Sequence, residues 1–410
     1  MMSEEKKTAF VGGLLIDGHG GEPVADSVLL VEDKTIKEVG IIGNVQIPDG
    51  YELVDVSGKT VMPGMFDCHT HITLSTLDLQ ERLFTHRTIA TFLTAENMKR
   101  TLHAGFTTIR DAGGLDVGFR QAVEMGLVEG PRLLVSGGVM QTAGHGDWYL
   151  PSGAEVVGPD DDKLVDGVPE VQKETRKQLR KGVDFIKTCT TGGVASPADR
   201  PEYTEWTMDE LKAMVHEAKA RGKEVMAHAE GTQGIKNAIL GGVWSVEHGS
   251  MLDDEAVQML LDHGTYMVPT LYIVTDIIER GPELGLLPVA LQKAKEIHEI
   301  HVNSFSKAVK AGVKIGTGTD CFNTSMHGKN ARELELMVAY GMSPMQAIVA
   351  STKTASEVCK IGAKTGTLEA GKLADVLVID GNPLGNISIL TAQENILCVM
   401  KEGKRYVNRL

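Results

Sequence analysis

The hydrophobic pattern divides the 410-residue chain into two kinds of segment. Residues 1–60 and 366–410 contain short apolar runs interrupted by turn residues, as in SVLLVEDKTIKEVG and GTLEAGKLADVLVIDGNP, which is typical of β-strands. Between residues 61 and 365, short apolar runs alternate with amphipathic segments such as TMDELKAMVHEAKARG. This alternation predicts repeated strand and helix units, and therefore an α/β protein.

Eight apolar runs of the central segment are candidate strands: VMPGMFDCHTH, FTTIRDAGG, RLLVSGGVM, VDFIKTCTTGG, EVMAHAEG, WSVEHGS, YMVPTL and VKIGTGTD. Most follow a helical segment that ends in glycine, as in ARGKEVMAH and KAGVKIGTG. Eight such units predict a (β/α)8 TIM barrel over residues 61–365. We expect residues 1–60 and 366–410 to pair as one small composite β-sandwich domain, which the barrel interrupts in sequence.

Charge and composition narrow the classes of partner and the compartment. The 41 basic and 55 acidic side chains give a net charge of -14, which argues against nucleic acid and anionic membranes as partners. The N-terminal MMSEEKKTAF resembles neither a signal peptide nor a transmembrane segment. Five cysteines without CxxC spacing suggest reduced thiols. We therefore expect a cytoplasmic enzyme or binding protein that acts on small molecules and forms a homo-oligomer.

Two histidines at the end of the first candidate strand raise the question of a metal site. Positions i and i+2 of a strand face the same way, roughly 6.5 to 7 Å apart, so His69 and His71 can converge on one ion. Taken alone, an HxH pair is equally compatible with two histidines at a polar strand end. The other strand ends decide between these interpretations.

Four further candidate strands end in a polar residue of a type found around metals: Lys187, His228, His248 and Asp320. Each has an ordinary explanation by itself: a lysine that reaches solvent, two histidines satisfied in the core, and a helix N-cap. Together with His69 and His71 they place six polar side chains on the face where barrel enzymes carry their chemistry. A deprotonated lysine near divalent metal can take up carbon dioxide as a carbamate, whose two oxygens can bridge two ions.

Residues 61 to about 380 resemble the amidohydrolase superfamily, and within it the branch of prolidase-like and Xaa-Arg/Lys dipeptidase-like enzymes. The resemblance is carried by VMPGMFDCHTHI, GFTTIRDAGG, GPRLLVSG, TAGHGD, IKTCTTGGVASP, VMAHAEG, SVEHGS, VPTL, GTGTD and GTLEAGKLADVLVIDGNPL. It implies a metal-dependent hydrolase built as a barrel with a β-sandwich from both termini, in agreement with the pattern above.

The resemblance also implies a binuclear centre. His69, His71 and Asp320 would hold the more buried ion, His228 and His248 the more exposed one, and Lys187, carboxylated to N6-carboxylysine, would bridge them. Zinc is the expected ion, with manganese or cobalt as alternatives. The implied reaction is attack on an amide by a metal-bridging hydroxide, with Asp320 passing the proton to the leaving nitrogen.

The substrate is less defined by the sequence than the reaction. Residues 138–170 form a long polar loop after strand three, and His145 in this loop either contacts the oxyanion or substrate carboxylate or stabilises its own turn. Relatives often carry a tyrosine where this chain has Trp206. No arginine stands out as a clamp for a substrate carboxylate. The remaining candidates for contact with the substrate lie in loops: Trp148, Tyr149, Val194, Tyr203 and Tyr272.

Four functions are conceivable for such a chain. The first is hydrolysis of a dipeptide or N-acyl amino acid with a C-terminal carboxylate. Trp206 favours the second, hydrolysis of a non-peptide amide, a carbamate or an aromatic N-acyl amino acid of the ochratoxin type. A non-catalytic metal-binding scaffold fits less well because all six candidate ligands are present, and a Rossmann-type dehydrogenase is excluded because no strand is followed by GxGxxG.

We expect Cys68, Cys189 and Cys321 to be small core residues, with Cys189 on the same side of its strand as Lys187.

Overall fold

The structure is a computed structural model that describes residues 7–76, 78–147, 163–196, 199–281 and 283–410. Within these ranges the strands are β1 (Lys7–Leu15), β2 (Val24–Glu32), β3 (Thr35–Ile41), β4 (Glu52–Asp55), β5 (Lys59–Pro63), β6 (Met65–Thr70), β7 (Phe106–Asp111), β8 (Arg132–Leu134), β9 (Ser136–Met140), β10 (Lys163–Leu164), β11 (Phe185–Cys189), β12 (Glu224–Ala229), β13 (Ser245–His248), β14 (Tyr266–Val268), β15 (Val376–Asp380), β16 (Ile396–Lys401) and β17 (Lys404–Asn408). The helices are α1 (Leu79–Phe84), α2 (Arg87–His103), α3 (Val117–Glu124), α4 (Val168–Arg180), α5 (Met208–Lys219), α6 (Thr232–Gly241), α7 (Asp254–His263), α8 (Leu271–Arg280), α9 (Pro288–Ala311), α10 (Arg332–Ala339), α11 (Pro344–Val349) and α12 (Ala355–Val358).

Strands from both ends of the chain form one continuous sheet. Its order is β17-β16-β15-β5-β1-β2-β3, with β4 paired to β1. The two ends meet where β5 runs antiparallel to β15, with Lys59 opposite Asp380 and Pro63 opposite Val376. The predicted first strand, residues 61–71, is therefore divided: residues up to Pro63 belong to this terminal sheet, and β6 begins at Met65.

The central segment forms parallel strands in the predicted order. β6, β7 and β8 form one parallel set, and β9, β11, β12, β13 and β14 form another. The third predicted strand is interrupted at Val135, whose N–H donates to the Asp184 carboxylate at 3.0 Å. The alternation of parallel strands and helices is consistent with a (β/α)8 barrel.

The eighth predicted strand, residues 313–320, is present as an extended segment that makes only isolated β-bridges. Its first part pairs with β14, through a bridge between Ile315 and Met267. Its last part lies beside β6, where the N–H of Cys68 donates to the carbonyl of Thr317 at 2.8 Å. The segment thereby connects the last strand of the ring to the first.

The helix ends follow the sequence pattern that predicted them. The C-cap residues of α6, α7 and α9 are glycines in the left-handed conformation, as expected from glycine before the next strand. α5 begins with a capping box in which Thr207 and Glu210 exchange hydrogen bonds. In the part of the chain that the structure describes, no helix has both the length and the apolar character to cross a membrane.

Candidate metal centre and active site

The carboxyl ends of the parallel strands surround a cavity of about 240 Å³. Six of its wall residues are the candidate ligands from the strand ends: His69, His71, Lys187, His228, His248 and Asp320. Side chains that are up to 251 residues apart in sequence are thus neighbours, because parallel strands end at the same edge of the sheet.

His69, His71 and Asp320 form the tightest group. Their potential ligand atoms all lie within 4.8 Å of one another, a spacing that allows them to hold one metal ion. Oδ1 of Asp320 lies 3.6 Å from Nε2 of His69 and 3.4 Å from Nε2 of His71. These are the residue types that bind zinc and similar divalent ions.

The rings of His228 and His248 lie next to this group. The ring centroid of His248 is 4.9 Å from that of His69 and 4.6 Å from that of His228. Nε2 of His228 donates to the carbonyl of Gly192 at 3.0 Å, and Nδ1 of His248 is hydrogen-bonded to Oγ1 of Thr270 at 2.6 Å. One nitrogen of each ring is therefore used by the protein, which leaves Nδ1 of His228 and Nε2 of His248 as candidate ligand atoms.

The outer nitrogens of the first two histidines are fixed in the same manner. Nδ1 of His71 donates to the carbonyl of Gly113 at 3.1 Å, and Nδ1 of His69 lies 2.8 Å from a carboxylate oxygen of Glu247. Glu247 is in turn bonded by Arg110, whose Nη2 lies 2.8 Å from Oε1. A histidine whose outer N–H is held by a carboxylate or carbonyl is the usual support for a metal ligand.

The pKa values of the histidines in the cavity wall favour the binding of a cation. Burial, followed by the charge of Lys187, lowers the pKa of His71 to about 4 and the pKa of His69 well below its ordinary value. Burial likewise lowers the pKa values of His228 and His248. The four imidazoles are therefore neutral, as metal ligands must be. Burial raises the pKa of Asp320 to about 7, a cost of ionisation that a bound divalent ion would offset.

Three residues at the strand ends adopt left-handed backbone conformations: His248 (φ 72°), Thr270 (φ 53°) and Asp320 (φ 54°). Such a conformation is an outlier for a β-branched residue such as threonine, and it costs roughly 1 to 3 kcal/mol. At position 270 it accompanies the hydrogen bond between the hydroxyl and His248. Backbone strain of this kind is concentrated at functional sites.

Lys187 is buried in the wall of the cavity on β11 and is 4% exposed. In the sheet, Lys187 is paired with Gly138 on β9 and with Met226 on β12. It therefore lies between the strand that precedes the loop of His145 and the strand that carries His228. Among the residues that the structure describes, no acidic side chain forms an ion pair with it. Its charge acts on the histidines and on Asp320, since it adds to the effect of burial in lowering the pKa values of His69 and His71, and opposes the effect of burial in raising the pKa of Asp320.

The residues expected to contact the substrate have different locations. His145 and Val194 line the cavity, and Cys189 also does so, whereas Cys68 and Cys321 are core residues. All five cysteines are free thiols. Trp148 and Tyr149 lie outside the described residues.

The other three aromatic residues lie away from the cavity wall, in contrast to the expectation. Trp206 is 7% exposed, and its indole N–H donates to the hydroxyl of Thr188 at 2.9 Å within the core. Tyr272 on α8 is buried, and its neighbours Ile273 and Val274 line the cavity instead. Tyr203 is exposed on the loop before α5. The sequence pattern placed these residues in segments close to the site, but it did not show that their side chains lie away from the cavity.

The cavity contains side chains that were not identified from the sequence. Arg82 on α1 contributes a guanidinium group to the wall, although no arginine stood out as a clamp. Glu230 lies behind His228, accepts a hydrogen bond from Ser250 at 3.0 Å, and has a pKa that burial raises to about 8. Much of the remaining wall is apolar, from Leu74, Met140, Val194, Ile273, Val274, Ile277 and Phe322. Glu230 could have been suspected from the sequence, because it lies two residues after the strand-end His228.

With this geometry in place, comparison with known proteins identifies the family. The model of the Amidohydrolase family matches residues 60–406. The chain belongs to the amidohydrolase family. It is therefore a hydrolase, and the divalent metal that this family generally uses has candidate ligands in the cavity.

This amidohydrolase has relatives of similar length and fold. It is 33% identical to the ochratoxinase of Aspergillus niger over 425 residues, which cover 98% of this chain and 87% of that protein. A prolidase complexed with N-methylphosphonate-L-proline is 33% identical, with a TM-score of 0.92 over 98% of this chain and 100% of that one. A Xaa-Pro dipeptidase with bound methionine in the active site is 31% identical, with a TM-score of 0.89 over 98% of this chain and 100% of that one.

Proposed function

We propose that this amidohydrolase hydrolyses the amide bond of a small molecule at a centre of two divalent metal ions. The observation that carries the proposal is the convergence of six ligand-type side chains on one cavity, with every imidazole neutral and held through its outer nitrogen. The names of the relatives, an ochratoxinase and two enzymes that act on proline peptides, support an amide as the bond that is cleaved.

We assign the ligands as the sequence suggested. His69, His71 and Asp320 would hold one ion, and His228 and His248 the other. Lys187, as N6-carboxylysine, would bridge the two. Zinc is the expected ion, with manganese or cobalt as alternatives. Bound ions of this kind lower the pKa of water and polarise a carbonyl group.

The residues of the chain have separate tasks in this proposal. Asp320 accepts a proton at a carboxylate oxygen and transfers it to the leaving nitrogen, and its position in the cavity wall beside His69 and His71 supports this task. His145, which lines the cavity and stacks on His228, contacts the developing oxyanion or the substrate carboxylate. The apolar wall excludes water around the scissile bond.

The substrate that fits the cavity has a carboxylate and an apolar group. Arg82 supplies a cation for the carboxylate, and Ile273, Ile277 and Phe322 supply an apolar surface for the rest. A dipeptide or an N-acyl amino acid has both features, and an aromatic N-acyl amino acid of the ochratoxin type also has both. The core position of Trp206 removes the specific reason for preferring the aromatic class, so both classes remain candidates.

The domain division also remains a proposal: residues 1–60 and 366–410 as a composite β-sandwich domain and residues 61–365 as the barrel. The pairing of β5 with β15 supports it and suggests Gly64 as the crossing between the two. The cytoplasmic location remains a prediction from the N-terminal sequence and the cysteines, and the homo-oligomer remains a prediction.

Metal analysis beside a Lys187→Ala variant tests the centre. We expect about two ions per chain in the wild type, and a marked loss of both metal and activity in the variant. Acetate, a small carboxylate that could occupy the place of the carbamate, should restore part of both. The exposed Lys212→Ala on α5 is the matched control and should behave as the wild type. Full metal content and full activity of Lys187→Ala would contradict the carbamate bridge.

A panel of substrates tests the reaction and the role of Arg82. Xaa-Pro and Xaa-Arg dipeptides, N-acyl-phenylalanines and aryl amides should be compared with the same compounds in which the carboxylate is a primary amide. We expect turnover of the carboxylate forms, with KM about 10-fold or more higher in Arg82→Gln and partly restored in Arg82→Lys. Absence of turnover for every carboxylate-bearing compound would contradict the proposed substrate class.

A further inference from the structure

The imidazole of His145 is bonded to Asp199, a residue with no part in the chemistry described so far. Nδ1 of His145 lies 2.7 Å from Oδ2 of Asp199, which also accepts a hydrogen bond from the N–H of Gly193 at 3.1 Å. Burial raises the pKa of Asp199, but the hydrogen bond and charge of His145 and the charge of Lys293 hold it below its ordinary value. Asp199 is therefore an ionised acceptor for Nδ1–H.

Asp199 is held in turn by a lysine from a distant helix. Lys293 on α9 is 6% exposed and lies 3.4 Å from Oδ1 of Asp199. Its ammonium group donates to the carbonyls of Gly193 at 3.1 Å and Ser196 at 2.7 Å, and to the carbonyl of Asp199. A single buried charge thus organises the loop that follows β11 and forms part of the cavity wall.

The ring of His145 also has little room to move. It stacks on His228, with ring centroids 4.3 Å apart and planes inclined by 14°. A Cβ atom at Gly193 would lie 2.4 Å from Cε1 of the ring, so any larger residue there would displace the imidazole. The segment before the ring is fixed as well, because the N–H of His145 donates to the buried carboxyl group of Glu205 at 2.5 Å.

We propose that Asp199 and Lys293 are positioning residues that set the location and orientation of the His145 imidazole for the substrate. Lys293 shapes the loop, the loop directs Asp199 at Nδ1, and Asp199 fixes the ring beside His228. The inference rests on the proposed function, because it is through His145 that the two residues affect the reaction. It adds to that function two residues that lie behind the cavity wall.

A double-mutant cycle on kcat/KM tests the proposal, with Asp199→Asn, His145→Ala and the double variant. Asparagine keeps the volume of Asp199 and removes the charged acceptor. We expect Asp199→Asn alone to lower kcat/KM about 10- to 100-fold, the size of loss seen when carboxylate partners of metal-ligating histidines are changed. In the His145→Ala background the same change should cost less than about 3-fold, because residues that act through one another are not additive. Metal content should remain that of the wild type.

Two results would overturn the proposal. Equal losses from Asp199→Asn in both backgrounds would mean that Asp199 does not act through His145. A crystal structure of Asp199→Ala, which removes the acceptor altogether, would do the same if His145 still stacked on His228 as in the wild type. The second result does not depend on activity. If the wild type cleaves no amide, the proposed function fails, and the ring position still decides the positioning role.

Lys293 has its own variants and a matched control. Lys293→Met should lower kcat with metal content unchanged, and Lys293→Arg should recover part of the loss because it restores a buried donor. Wild-type kcat in Lys293→Met would overturn its role. Glu369→Gln is the control for the aspartate, since it removes an exposed carboxylate 2.9 Å from His19 far from the cavity, and it should leave kcat/KM unchanged.

Discussion

At the scale of single residues, the charge pair behind His69 carries a large stability consequence. Arg110 is fully buried and donates to both Glu247 oxygens, to the carbonyl of Cys68 at 2.6 Å and to the hydroxyl of Ser245 at 3.0 Å. Arg110→Met would leave the Glu247 carboxylate buried without its partner. We expect a loss of about 3 to 5 kcal/mol in the free energy of unfolding, together with weaker metal binding through His69.

Thermal unfolding and metal content of the variant measure both effects. The control is Arg100→Met, because Arg100 is an exposed partner of Glu96 one helical turn away, and such pairs contribute less than about 1 kcal/mol. Similar thermal midpoints for the two variants would contradict the prediction.

Some residues of the site could be predicted from the sequence and others could not, for physical reasons. The six candidate ligands could be predicted because strand ends share one edge of a barrel. Arg110 and Glu247 could not, because they are 137 residues apart and each looks like an ordinary strand residue until the strands are paired. Thr270 was missed for another reason: its left-handed backbone is imposed by the fold against the preference of threonine.

At the scale of elements, the eighth strand depends on a close approach at Gly318. A Cβ atom there would lie 2.3 Å from Cγ1 of Val268 and 2.8 Å from Cβ of His69. Gly318→Ala would therefore separate this segment from β14 and β6 at the point where His69 and Asp320 meet. We expect a loss of about 1 to 3 kcal/mol, as for other overpacked sites, and reduced metal content.

The control for Gly318→Ala is Gly21→Ala, where an added Cβ meets nothing within 4 Å. Thermal midpoints within error of each other in these two variants would contradict the close approach.

The sequence indicated the strand at residues 313–320 but not its weak pairing. The segment divides its hydrogen bonds between β14 and β6, so it pairs with each of them over only a few residues. The helix ends were easier to predict, since a glycine C-cap is a local signal.

At the scale of the whole molecule, one buried carboxylate joins the terminal sheet to the parallel strands. Asp375, just before β15, is 2% exposed and accepts hydrogen bonds from Arg132 on β8 at 2.7 Å and from Thr365 at 2.9 Å. Lys401 on β16 adds a bond across the same boundary to the carbonyl of Gly130. The short apolar runs and turn residues at both chain ends predicted that the ends would pair. A contact between residues 132 and 375, however, has no signal in the sequence.

This boundary predicts that the sheet and the parallel strands unfold together. Asp375→Ala removes the buried carboxylate partner of Arg132, which keeps Thr108 and Glu402 as partners, and should cost about 1 to 3 kcal/mol. All three tryptophans, Trp148, Trp206 and Trp244, belong to residues 61–365, so their fluorescence reports the central segment, whereas far-UV circular dichroism reports the whole chain. We expect both signals to shift to the same lower midpoint. Asp380→Ala, an exposed change on β15, should shift neither. A circular dichroism transition that precedes an unshifted fluorescence transition would mean that the terminal sheet unfolds separately, with the metal centre still intact.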